Sequence, residues 1–198
     1  ARMLYYDGLN AVFIFGGIYA SRRFDWGTTE LGLFGIIILL FGVPGCFLGG
    51  WLDDRLGSKA TLNIFVTGLF VAMLGIVSIG DGQVLFVVDM AFPTEGDGLF
   101  ASPAELVLVG FAALVGICAG PVQSCSRSLI ARIAPVGQSG KYFGLFALSG
   151  KATSFVAPLC VGLALGFMGD RWAYAVILVF ILAGLFVLRG VTEEREAS

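Results

Sequence analysis

The sequence predicts an all-α polytopic membrane protein with six spanning helices, and three observations carry that reading. Apolar residues make up 58% of the 198 positions, charged residues only 13%, and the mean hydropathy is +0.93. Soluble domains run near 45–50% apolar and about 25% charged, so this chain lies outside their range. Six stretches of about twenty residues are apolar enough to cross a bilayer. The 29 glycines are too many for soluble helices but usual where helices pack closely in lipid.

The spans fall at about 4–20, 31–52, 60–80, 106–125, 142–168 and 172–188 and form a single bundle, the first and last somewhat short. Pro44, Pro121 and Pro158 lie inside spans two, four and five. Such breaks are tolerated because neighbouring helices re-satisfy the freed carbonyls. Period-two alternation is absent, which argues against a β-barrel. Residues 81–105 form an acidic loop with Asp81, Asp89, Glu95, Asp97 and Glu105 and no cation. Its run from Phe92 to Gly98 is turn chemistry, and its carboxylates match no EF-hand spacing.

Charge orients the bundle. Arg2, Arg55, Lys59, Arg127, Arg132, Lys141, Arg189 and Arg195 fall on the side shared by both termini. Arg22, Arg23 and Arg171 fall on the other, so the positive-inside rule expects cytoplasmic termini and an external acidic loop.

Composition also excludes functions. Net charge is −2 with no basic run, so nucleic acid is not an expected partner. There is no histidine, and Cys46, Cys118, Cys125 and Cys160 lack metal-ligand spacing; they read as small hydrophobes, and no metal or cofactor is expected. P-loop and nucleophile-elbow patterns are missing, and a dyad of Lys151 with Ser149 or Ser154 uses residues common on any polar stripe. An enzyme is not expected.

Lys151 is the informative residue. It lies inside the fifth span, on a face of small residues that includes Gly144, Ala147, Ser154 and Pro158. An ammonium at mid-bilayer costs roughly 2.5–3.5 kcal/mol, so it needs a partner or a task. Polar stripes recur on span one, with Asp7 and Asn10, and on span four, with Gly116, Gly120, Gln123 and Arg127. Lys151, Asp7, Asn10, Gln123 and Ser154 are therefore the candidates for contact with solute or coupling ion. An Asp7–Lys151 pair requires the lysine stem to reach across their difference in depth, with Asn10 or a group outside this chain as the other neighbour. Arg127 reads as a snorkelling arginine at a helix end. The pairs Gly45/Gly49, Gly116/Gly120 and Gly162/Gly166 suit helix packing. Trp26, Trp51 and Trp172 suit membrane-interface anchors.

Between spans two and three, Gly50, Asp53, Asp54, Arg55, Gly57 and Lys59 mark a short turn where glycines allow φ > 0 and charges can pair with neighbouring helix ends. The spacing Gly-x-Leu-x-Asp-Arg-x-Gly-x-Lys resembles the signature loop of the major facilitator superfamily, which joins the second and third helices of a six-helix half. The run from Leu4 to Asn10, that from Phe15 to Ala20, the stretch from Gln123 to Arg132 with Pro135, and the stretch from Phe143 to Ser154 narrow the resemblance. They are similar to helices seven, ten and eleven of the UMF1 family, bacterial relatives of the Atg22-type vacuolar amino-acid effluxers.

That resemblance implies the C-terminal half of a secondary transporter. Two six-helix halves would enclose a cavity open alternately to each side, with the loop as a conformational latch. The first and fourth helices of a half would line the cavity and the second and fifth would gate it. The implied partners are the bilayer, a complementary six-helix half upstream or on a second chain, and a small amino-acid-like solute. A bacterial inner membrane is the implied location. The start at Ala1 suggests a piece of something longer. Proton coupling would fall to Asp7, Lys151 or Glu30. The alternative is a six-helix scaffold subunit of a larger membrane complex without transport activity.

Overall fold

The computed structural model of the chain describes residues 1–80, 83–84, 88–89, 99–135, 137–167 and 169–191. It is nearly all helical: α1 (Arg2–Phe24), α2 (Thr28–Leu56), α3 (Ser58–Val77), α4 (Pro103–Ile133), α5 (Ser139–Ala152), α6 (Val156–Phe167) and α7 (Asp170–Arg189). A two-residue antiparallel ladder, β1 (Gln83–Val84) with β2 (Val88–Asp89), lies between α3 and α4. Most of the acidic loop, including the Phe92-to-Gly98 turn, lies outside the described residues.

Five segments among the described residues are long and apolar enough to cross a membrane, α5 and α6 counting together as one. The remaining helix, α1, has 23 residues, roughly 34 Å at 1.5 Å per residue. Tyr5, Tyr6, Asp7 and Asn10 lower its hydropathy. Two boundaries differ from the hydropathy windows. Helix α4 runs on to Ile133 because nothing in residues 126–133 breaks it and Leu129 continues its buried face; Pro135 then disfavours helical backbone at Ala134. The fifth window, 142–168, holds two helices separated at residues 153–155.

Close backbone approach fastens α2 to α4. A methyl group at Gly45 would collide with the Ile117 backbone, one at Gly116 with the Ile38 carbonyl, and one at Gly49 would lie 2.6 Å from Pro121. Glycine here removes the Cβ that would hold the helices apart. Gly162 and Gly166, by contrast, meet nothing within 4 Å, so the third small-residue pair packs against no neighbour among the described residues. Leu62, Val66 and Leu69 of α3, Leu108 and Val122 of α4, and Ile177 and Ile181 of α7 form the centre of the core. The faces left apolar and exposed belong mainly to α2, where Leu39 is 73% and Phe47 78% exposed, and to α5 and α6.

At the end opposite the chain termini, Trp26 is only 4% exposed rather than an interface anchor, whereas Trp51 and Trp172 are exposed. Trp26 packs on Phe24, Phe34 and Phe100, and its Nε1–H donates to Glu105 Oε1 at 2.6 Å. Glu105 also accepts from the Ser102 amide, while the Glu105 amide donates to Ser102 Oγ, a capping box that starts α4. The carboxylate thus caps α4, lies at the favourable end of its dipole, and ties it to the α1–α2 turn.

Candidate functional site

The polar groups of α1 and the fifth window meet at the helix break. Helix α1 places Asp7 on its buried face, 1% exposed, where its Oδ1 accepts from Thr153 Oγ1 at 3.3 Å. Neither Lys151 nor Asn10, the two neighbours considered for Asp7 within this chain, bonds to it among the described residues. Lys151 sits in the last turn of α5, exposed, with no side-chain hydrogen bond or ion pair among the described residues. A cation is favourable there, at the negative end of the helix dipole. Ser154 is half-buried and its Oγ donates to the Lys151 carbonyl at 3.0 Å. Asn10 is half-buried and bonds to no side chain among the described residues.

Arg2 is a second group that composition does not single out. Its guanidinium donates to the Phe146 carbonyl and to Ser149 Oγ at 3.1 Å, and lies 3.5 Å above the Phe146 ring. It joins the start of α1 to α5. Arg127 is exposed, as a snorkelling side chain would be.

A sizeable cavity lies elsewhere. A groove of about 730 Å³ runs between α1, α2 and α4, lined by Val12, Phe13, Phe34, Ile38, Ala119 and Gln123 among others. Gln123 supplies its one side-chain amide, while Asp7, Asn10, Lys151 and Ser154 do not line it. The five candidates therefore divide. Gln123 belongs to an apolar groove able to hold a hydrocarbon group. Asp7 and Ser154 flank the break, and Lys151 offers a positive charge at its edge.

The loop between α2 and α3 connects three helices. Asp53 is buried, and its Oδ1 meets Arg132 Nη2 of α4 at 3.5 Å. Lys59 Nζ donates to the Arg189 carbonyl at the end of α7 at 3.2 Å. Arg55 stacks 4.1 Å over the Trp51 ring, while Asp54 and Gly50 are exposed. With Arg132 46% exposed, solvent holds its pair to at most about 1 kcal/mol. Gly57 adopts φ 86° and ψ 159°, a backbone region almost restricted to glycine, and its N–H closes α2 on the Asp53 carbonyl at 3.0 Å. Replacing Gly57 by alanine is expected to cost about 1–3 kcal/mol. Gly50→Ala, in open space within α2, should be neutral or stabilising by up to about 1 kcal/mol. Thermal unfolding of the two variants in detergent checks the difference.

The family model described as "Vacuole effluxer Atg22 like" matches residues 1–198. Autophagy-related protein 22 of Cryptococcus neoformans var. neoformans serotype D is 28% identical over 190 residues, 96% of this chain and 34% of the relative. Autophagy-related protein 22-1 of Penicillium rubens is 25% identical over 185 residues, 92% of this chain and 30% of the relative. The chain thus spans about a third of the length of these curated relatives. Among solved structures, the inward open conformation of the Escherichia coli xylose transporter XylE superposes with a TM-score of 0.75 at 19% identity, covering 96% of this chain and 46% of that one. Its partially occluded inward open conformation gives 0.73 at 18%. At such identity the likeness is one of fold, roughly half of a major-facilitator transporter.

Proposed function

The chain belongs to the Atg22-like vacuole effluxer family, and from that premise we propose that it forms one half of a secondary transporter moving a small, amino-acid-like solute by alternating access. Family and fold are those of transporters rather than enzymes. One observation carries the proposal: the family match runs the whole length of a chain whose fold covers half of a two-half transporter.

The geometry supplies chemistry that suits it. Transporter sites lie between two repeats, often where a spanning helix is interrupted. The groove beside Gln123 suits the apolar part of a solute, and the ammonium of Lys151 suits a carboxylate. Asp7 is the group we assign to a coupling proton, with Asn10 and Ser154 as polar neighbours along the path. Asp53, Arg132, Gly57 and Lys59, with Asp54, Arg55 and Gly50 around them, form the latch between α2, α4 and α7. The unpaired apolar faces of α2, α5 and α6 suit a complementary six-helix half. The charge asymmetry supports cytoplasmic termini. A bacterial inner membrane gains no support from the relatives named above, which are fungal, so the proposal extends only to an integral membrane with that orientation.

The test is solute counterflow. The intact protein is reconstituted in vesicles preloaded with a mixture of neutral amino acids, and uptake of the labelled mixture is followed. Uptake above protein-free vesicles is expected. Uptake equal to that of protein-free vesicles, from protein shown to be folded, would remove an amino-acid-like solute.

A further inference from the structure

We propose that residues 153–155 are a hinge about which the half-helix α5 swings as a gate while α6 stays in place, the Thr153–Asp7 hydrogen bond acting as its catch. The local cause is in the sequence. Pro158 has no N–H, so the Ser154 carbonyl loses the donor that a continuous helix would provide. The single proton of the Thr153 hydroxyl is shared between Asp7 Oδ1 and the Ser149 carbonyl, both at 3.3 Å, and Ser154 Oγ donates to the Lys151 carbonyl at 3.0 Å, competing with backbone bonds at the same turn. Helix α6 restarts with the Val156 amide on the Thr153 carbonyl at 2.8 Å.

The two half-helices are attached differently. Helix α6 buries Ala157, Val161 and Ala164, whereas α5 buries Gly150 alone and leaves Leu145 and Leu148 exposed. What ties α5 to α1 is largely polar: Arg2 on Phe146 and Ser149, and Asp7 on Thr153 at the hinge itself. A helix fixed by apolar packing leaves its place only at the cost of re-exposing that surface. One fastened by a few polar bonds re-exposes little apolar surface when it moves. A charge change at Asp7 would reach the hinge directly through the Thr153 hydroxyl.

The word gate rests on the transporter reading, but the hinge is measurable without solute. Spin labels carried on unnatural amino acids at positions 141 and 60 report α5 against α3, and labels at 163 and 179 report α6 against α7, in the intact protein in lipid. Thr153→Val removes the catch at nearly equal volume, and the 141–60 distance should lengthen or broaden by roughly 5 Å, one helical turn. The 163–179 distance should stay unchanged. Thr153→Ser, which keeps the hydroxyl, should match the parent. Pro158→Ala restores a donor for the Ser154 carbonyl and should narrow the 141–60 distribution. An unaltered 141–60 distance in Thr153→Val, a 163–179 distance that moves with it, or an unaltered width in Pro158→Ala would overturn the hinge. None of these outcomes depends on transport, so the hinge and the transporter reading can fail separately.

Discussion

Gly45→Leu is expected to cause the largest loss of stability of any single substitution on the α2–α4 seam. Its first added carbon would fall on the Ile117 backbone, and no rotamer change relieves a clash with main chain. Overpacking ordinarily costs about 1–3 kcal/mol, and here the upper end, about 3 kcal/mol, is expected because the helices themselves must separate. Helix α2 has little else to hold it, since its buried residues are few and Leu39 and Phe47 face outward. The matched control is Gly162→Leu, chemically identical but placed where nothing lies within 4 Å. Thermal unfolding of purified protein should separate the two, with Gly162→Leu melting like the parent. Equal melting of Gly45→Leu and the parent would mean that the seam does not hold α2. If Gly162 faces a complementary half, its leucine variant should lose transport while keeping its stability.

The second large effect concerns Asp7. Asp7→Asn retains the size of the side chain and a hydrogen bond to Thr153, so the fold should survive, yet the substitution removes the ionisable group. We expect transport to fall at least tenfold, about 1.4 kcal/mol in barrier terms, with melting unchanged. Thr153→Val makes the converse change, removing the bond and leaving the carboxyl. If Asp7→Asn transports like the parent, the carboxyl carries no coupling proton and its burial is a matter of packing alone.

Hydropathy made the positions of the apolar stretches readable, because a window of twenty residues averages over local detail. It could not show the interruption at 153–155. Lys151, Ala152, Thr153, Ser154 and Phe155 all tolerate helix, and the break arises from Pro158 acting four residues back and from a hydroxyl drawn to Asp7, 146 residues away in sequence. Lys151 stood out by charge alone, whereas Thr153, the residue that touches Asp7, is chemically ordinary. Trp26 shows the same limit. Indole near a span end usually marks an interface, but here Glu105, 79 residues on, accepts its proton and buries it. The short turn between α2 and α3 was readable from its glycines and charges, although the partner of Asp53, Arg132, came from the unexpected extension of α4. Of the three glycine pairs, two lie on the α2–α4 seam, where they face Ile117, Pro121, Ile38 and Cys46 of the opposite helix, and the third meets open space among the described residues.

The most direct test of the account is transport by the intact protein in vesicles with Lys151 replaced in turn by alanine and by arginine, at matched folded protein. The account predicts that alanine abolishes movement of the carboxylate-bearing solute, and that arginine, which keeps the charge on a different fork, restores it only in part. Rates equal to the parent in both variants would contradict it, because a cation inside a spanning segment would then have no task.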